Sequence, residues 1–148
     1  MKIGIVSDHK GYELKNSIIN KLSSKYELID CGPYDNNSVD YPTMGAILGK
    51  KIINDEVDFG ICICGTGIGI SIVLNKFKTV RCALIHNKKE ASLAHEHNNA
   101  NCLAFKGSTS IKKAISMIES YINTPFSKDE RHIKRVNQIL ELEKNNEH

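Results

Sequence analysis

Apolar and polar positions along this chain follow two alternating periods. Four short apolar runs predict strands: Lys2–Ser7 (KIGIVS), Val57–Cys64 (VDFGICIC), Val80–Ile85 (VRCALI) and Asn101–Phe105 (NCLAF). A weaker fifth, Tyr26–Asp30 (YELID), lies between the first two. Near-continuous apolar runs of this length belong to strands buried on both faces, hence to a parallel sheet. The segments between them have helical period. Leu14, Ile18 and Leu22 form one stripe, Met44, Ile47, Leu48 and Ile52 another, and Ile111, Ala114, Ile115, Ile118 and Ile122 a third. This alternation predicts a doubly wound α/β layer with right-handed crossovers. After a break at Asn123-Thr124-Pro125-Phe126, Lys128–Asn145 predicts a last helix with Ile133, Val136 and Leu140 on one face. No strand follows it, so it can fold back or cross to a partner subunit.

Composition narrows the class. At 148 residues, 41% hydrophobic and 25% charged, the chain makes one globular domain rather than a disordered segment. The 20 basic against 17 acidic residues leave too small a surplus to argue for nucleic acid. No apolar run approaches the roughly 20 residues of a membrane span, and the N-terminus reaches Asp8 without a signal-type apolar region. Five cysteines, with Cys62 and Cys64 two apart in one strand, fit reduced thiols in a cytoplasm.

Ligands of open parallel sheets sit at the carboxyl ends of the strands. Those ends carry Asp8-His9, Cys31-Gly32, Cys64-Gly65-Thr66-Gly67-Ile68-Gly69, His86-Asn87 and Lys106-Gly107-Ser108. Three alternating glycines before a helix starting near Ile68 make a cradle of backbone N–H groups for a phosphate or an oxyanion. The loop lacks the Gly-Lys-Ser/Thr ending of a P-loop, and Ile70 stands where a dinucleotide fingerprint needs its third glycine. Cys64 precedes this loop, where a helix N-terminus favours a thiolate base or nucleophile. The other cysteines, Cys62, Cys82 and Cys102, read as small apolar strand residues. No tidy metal-ligand set is visible.

Two further features are open on pattern alone. His95 and His97 are two apart, so one helix face cannot carry both; either an acid–base group or a solvated helix end fits. Lys128, Arg131 and Arg135 share a stripe, flanked by His132, that is either a solvated face or a fork for phosphate.

Taken together, these residues resemble the type B ribose-5-phosphate isomerases, which share a family with the galactose-6-phosphate isomerase subunits. The resemblance rests on Ser7-Asp8-His9-Lys10-Gly11, Asp40-Tyr41-Pro42, Ile63–Ser71 with Asn75-Lys76, Glu96–Asn101, and Glu130-Arg131-His132 with Arg135-Val136. It implies a Rossmann-like three-layer αβα sandwich with a five-stranded parallel sheet and an extra C-terminal helix. It implies one isomerase domain over 1–148, with a segment at 127–146 packing on the partner subunit. It further implies a cofactor-free, metal-free, cytoplasmic aldose–ketose isomerase, a homodimer or dimer of dimers, with sites built between subunits. Carried over residue by residue, Cys64 would be the base, His97 would open the sugar ring, and Thr66 would complete the catalytic set. Asp8, His9, Tyr41, Ser71 and Asn98 would bind sugar, and Gly65, Gly67, Ile68 and Gly69 the enediolate oxygen. Arg131 and Arg135 would bind phosphate.

One departure stands out. The family carries an arginine shortly after the fifth strand, where Lys106-Gly107-Ser108-Thr109 stands here, so Lys106 is expected to supply the charge. The galactose-6-phosphate subunits differ at the cysteine–glycine loop or the histidine region, and this chain follows the ribose type at both. A six-carbon sugar-phosphate isomerase (allose or galactose 6-phosphate) is the nearest alternative. A non-catalytic flavodoxin-like binding module is the alternative from another class.

Overall fold

The computed structural model describes residues 1–146; the domain read over 1–148 extends two residues outside the described ones. The chain forms β1 (Lys2–Ser7), a single 3-10 turn (His9–Gly11), α1 (Tyr12–Leu22), β2 (Glu27–Asp30), α2 (Tyr41–Ile53) and β3 (Phe59–Cys64). Then follow α3 (Ile68–Leu74), β4 (Cys82–Leu84), α4 (Lys88–Asn98), β5 (Cys102–Lys106), α5 (Ile111–Asn123) and α6 (Glu130–Asn145). All five strands pair in parallel, in the order β2-β1-β3-β5-β4. The chain steps one way from β1 to β2 and the other way from β2 to β3. Right-handed crossovers therefore put α1 on one face and α2 on the other. The same rule places α3 beside α2 and α4 on the face of α1, and α5 packs against both α4 and α1. The result is the expected three-layer sandwich.

Each face has its own core. Ile3, Ile5, Ile61, Ile63, Leu103 and Phe105 point toward α1, α4 and α5. Val6, Cys62, Cys64, Cys102 and Ala104 point toward α2 and α3. The alternation follows the pleat, in which neighbouring residues face opposite ways.

Several expectations change. β3 and β4 are shorter than read: Val57, Val80 and Ile85 are buried, but they pack beyond the ends of the ladder. Ile47 is 39% exposed. The buried face of α2 is completed by Gly45 and Gly49 instead, where an added Cβ would meet Val73 at 2.9 Å and Phe77 at 2.6 Å. Close approach of α3 and its following turn therefore took the place that the stripe gave to Ile47. α6 begins at Glu130 with Asp129 as its cap, so Lys128 lies before the helix and off the basic stripe. Its inward face is His132 and Val136, resting near α4, whereas Ile133, Ile139 and Leu142 are exposed.

Candidate active site

The carboxyl ends of β1, β3 and β5 are stitched together beyond their ladders. Asp8 N–H donates to the Ile63 carbonyl at 3.1 Å, and Gly107 N–H to the Cys64 carbonyl at 2.9 Å. Here α1 departs to one face and α3 to the other, which opens the crevice expected where the winding changes direction. A cavity of about 630 Å³ fills it. Cys64, Gly65, Thr66, Ile68 and Gly69 line one wall; Asp8, His9, Lys10, Asp40 and Tyr41 line the other.

Cys64 is the last residue of β3 and only 4% exposed, with its sulfur at the base of the loop. The N–H of Gly67 donates to that sulfur at 3.2 Å. Gly67 caps α3 with φ +79°, the left-handed conformation that a glycine adopts without cost. An added Cβ there would also meet Phe105 backbone at 2.8 Å. Thr66 Oγ1 accepts from Ile68 N–H at 3.1 Å, so its own hydroxyl hydrogen is available to the cavity. Ile68 and Gly69, which open α3, line the same space, and the Gly69 N–H has no partner within the helix. Above them the Tyr41 ring lies so near Gly69 that an added Cβ would stand 2.6 Å from Cζ.

The opposite wall is fixed from below. The Asp8 carboxylate accepts from Lys10 N–H at 2.9 Å and Gly11 N–H at 3.2 Å, capping the 3-10 turn. His9 Nδ1 is held at 3.2 Å by the backbone of Val39. Ser71 lines none of this. It is buried, and its hydroxyl donates to the Ile68 carbonyl at 2.7 Å, bracing the first turn of α3.

The other expected residues lie apart from this cavity in the chain. Arg131 and Arg135 line a second cavity of about 360 Å³ with Glu130, Lys134 and Gln138. Lys134 thus takes the place expected for Lys128. Asp129 caps α6 through Arg131 N–H, a bond that holds its carboxyl below the usual range, and it also pairs with Arg131 Nη2 at 3.2 Å. His97 stacks on His132, centroids 4.3 Å apart. His132 is buried, and its Nδ1 has no hydrogen-bond partner among the described residues. Asn98 lines a separate groove with Asn75, Arg81 and Glu143. Lys106 is exposed and lines neither cavity, which removes it from the Cys64 wall; Lys10, named only as part of a motif, stands there instead.

Among the described residues one group has metal-ligand spacing, the thiols of Cys62, Cys82 and Cys102, all within 4.8 Å of one another. Strand register makes this cluster, because Cys82 pairs Cys102 across β4 and β5 and Cys62 stands two residues beyond Gly60, which pairs Cys102 across β3 and β5. Cys62 and Cys102 are wholly buried in the α3-side core, and burial pushes both thiols well above their ordinary range. The Cys62 sulfur lies 3.8 Å from that of Cys82 and 3.9 Å from that of Cys102, and hydrogen bonds from Cys102 and Cys62 hold the Cys82 thiol below its ordinary range.

A sequence model of the Ribose/Galactose Isomerase family matches residues 3–139. Ribose-5-phosphate isomerase B of Mycobacterium tuberculosis is 36% identical, covering 99% of this chain and 93% of its own. The solved structure of the Clostridium thermocellum ribose-5-phosphate isomerase B superposes with a TM-score of 0.95 at 42% identity, covering 99% of this chain and all of that one. The Mycoplasma genitalium enzyme, solved with bound ribulose-5-phosphate, gives 0.91 at 35% identity, covering 97% and 96%. With its fold, its Cys64–Gly69 loop and nearly its whole length matched, the chain belongs to the ribose/galactose isomerase family.

Proposed function

We propose that this chain interconverts ribose 5-phosphate and ribulose 5-phosphate through an enediolate, with Cys64 as the base. The observation that carries the reading is the Cys64 sulfur at the floor of a cavity rimmed by the glycine loop. A proton beside a carbonyl is weakly acidic, so the reaction needs a placed base and a stabilised oxyanion together. Cys64 thiolate takes the proton from C2 of the open aldose. The electron pair forms the C1–C2 double bond, and the C1 carbonyl oxygen becomes the enediolate oxygen. The N–H groups at the start of α3 hold that oxygen. The Thr66 hydroxyl relays a proton between O1 and O2, and the Cys64 thiol returns its proton to C1. No step calls for a cofactor or a metal.

Asp8, His9 and Tyr41 would hold the sugar. His97 would open the ring, Asn98 would bind sugar, and Arg131 and Arg135 would grip the phosphate from a second copy of the chain. The separation of these four from the Cys64 cavity supports that division, as do the exposed Ile133, Ile139 and Leu142 on α6. The working form is accordingly a homodimer or a dimer of dimers. Among the described residues no helix is long and apolar enough to cross a membrane, and five free thiols suit the cytoplasm. The relatives named for ribose 5-phosphate support the five-carbon substrate over a six-carbon one.

The test is ribulose 5-phosphate formation from ribose 5-phosphate, run beside allose 6-phosphate and with a chelator. Turnover on the pentose phosphate, unchanged by chelator and nearly abolished in Cys64→Ser, is the expected result. A Cys64→Ser variant that folds and turns over at the wild-type rate would remove the cysteine base.

A further inference from the structure

The Cys64 cavity contains one permanent side-chain cation, Lys10. Its aliphatic stem crosses the glycine loop. Measured from the position an added Cβ on Gly65 would take, Lys10 Cδ is 2.9 Å away, Nζ 3.6 Å and Cε 3.8 Å. The ammonium therefore stands directly over the loop, within reach of whatever the loop's N–H groups hold. Lys10 is placed there by its backbone, not by chance of a long side chain. Asp8 fixes its N–H, and its carbonyl presses against Gly107 so closely that no Cβ could stand between them.

That ammonium has no acidic partner. Two carboxylates line the same cavity, Asp8 and Asp40. Asp8 is occupied by backbone N–H groups of the 3-10 turn. Neither it nor Asp40 is within ion-pair distance of Lys10 Nζ, and no other carboxylate among the described residues is. A lysine left unpaired at the rim of a cavity is a charge reserved for an anion. The sugar itself is neutral. The enediolate oxygen is already provided for by the start of α3. The remaining anion is the phosphate.

We infer that Lys10 is a substrate-binding residue whose ammonium holds the phosphate of the sugar from the Cys64 side of the site. The inference rests on the reading of the chain as a sugar-phosphate isomerase. It also assigns the charge that Lys106 was expected to provide, since Lys106 is exposed and is not among the residues that line this cavity. A lysine offers a point charge rather than a fork, so it would tolerate some shift of the phosphate.

The experiment has two arms. In the first, kinetics on ribose 5-phosphate are measured for wild type, Lys10→Ala, Lys10→Arg and Lys106→Ala. Loss of one charged hydrogen bond should raise KM on the order of tenfold in Lys10→Ala, with kcat nearly unchanged. Lys10→Arg should restore most of the affinity, and Lys106→Ala should match wild type. In the second arm, inorganic phosphate is titrated as a protectant of Cys64 against iodoacetamide, with the modified peptide read by mass spectrometry. Lys10→Ala should need on the order of tenfold more phosphate for the same protection. Unchanged KM and unchanged protection in Lys10→Ala would overturn the inference. So would a fall in kcat alone, which would move the ammonium to the enediolate oxygen. So would failure of phosphate to protect the wild type. If the wild type protects normally but turns over no sugar phosphate, the isomerase reading fails while the phosphate contact stands. Because Lys10 is exposed, Lys10→Ala should keep the wild-type melting temperature, and Lys10→Gln offers a bulkier neutral control.

Discussion

Cys64 sits where two environments meet, the apolar core under α3 and the polar cavity above it. Cys31, Cys62 and Cys102 share only the first, whereas Cys82 is half-buried beside a separate groove. Burial raises the thiol pKa of Cys31, Cys62 and Cys102 above the ordinary value, so little reactive thiolate exists on them near neutrality. Brief iodoacetamide treatment near pH 7.5 should therefore modify Cys64 and leave those three intact, as peptide mass mapping would show, and activity should fall in step. Gly67 is the other residue on which the loop depends. Gly67→Ala places a Cβ against Phe105 backbone in a left-handed conformation, and backbone strain of this kind costs on the order of 1–3 kcal/mol. Denaturant unfolding should show that loss, with activity falling further than stability because the N–H aimed at Cys64 shifts. Both residues were legible in the sequence, because a strand end followed by spaced glycines is a local pattern. Lys10 was not legible as a site residue. Its place over Gly65 arises from the meeting of the turn after β1 with the loop after β3, more than fifty residues apart.

At the scale of elements, α6 shows what periodicity does and does not reveal. Its existence and length were readable from spacing, and so was the arginine pair. Its inward face was not, because the position packed beside α4 is His132, a polar residue in an apolar scan, while the apolar Ile133 faces outward. The strand order was equally hidden: β5 lies between β3 and β4, and sequence order does not say so. α6 presents Arg131 and Arg135 one turn apart on an exposed face. Each charged fork to phosphate contributes about 1.5–3 kcal/mol. Arg131→Ala or Arg135→Ala should thus lower kcat/KM on ribose 5-phosphate by roughly ten- to a hundredfold. Unphosphorylated ribose, used poorly by the wild type, should be used no worse by either variant. The end of α4 carries a separate test. Ribose 5-phosphate closes into a furanose, whereas ribulose 5-phosphate cannot close through its phosphorylated oxygen. His97→Ala should therefore slow the ribose direction more than the ribulose direction in matched initial-rate assays; equal losses would make His97 a positioning residue, seated by His132.

At the scale of the whole molecule, the fold keeps its base and its arginines on different walls. The Cys64 cavity opens where α1 and α3 diverge, and the arginine cavity lies on α6. A dimer that joins the two kinds of wall makes each site from two chains, and it makes two such sites at once. This arrangement has a genetic signature. Cys64→Ser and Arg135→Ala should each be weak or inactive alone, yet a strain carrying both alleles should grow where isomerase is needed. In a mixed dimer one site inherits both lesions and the other inherits none. If two purified mutant chains are unfolded together and refolded in equal amounts, random pairing makes half of the dimers mixed, and about a quarter of wild-type sites should return. Were the arginines to serve the cysteine of their own chain, every site would keep one lesion, and mixing would restore nothing.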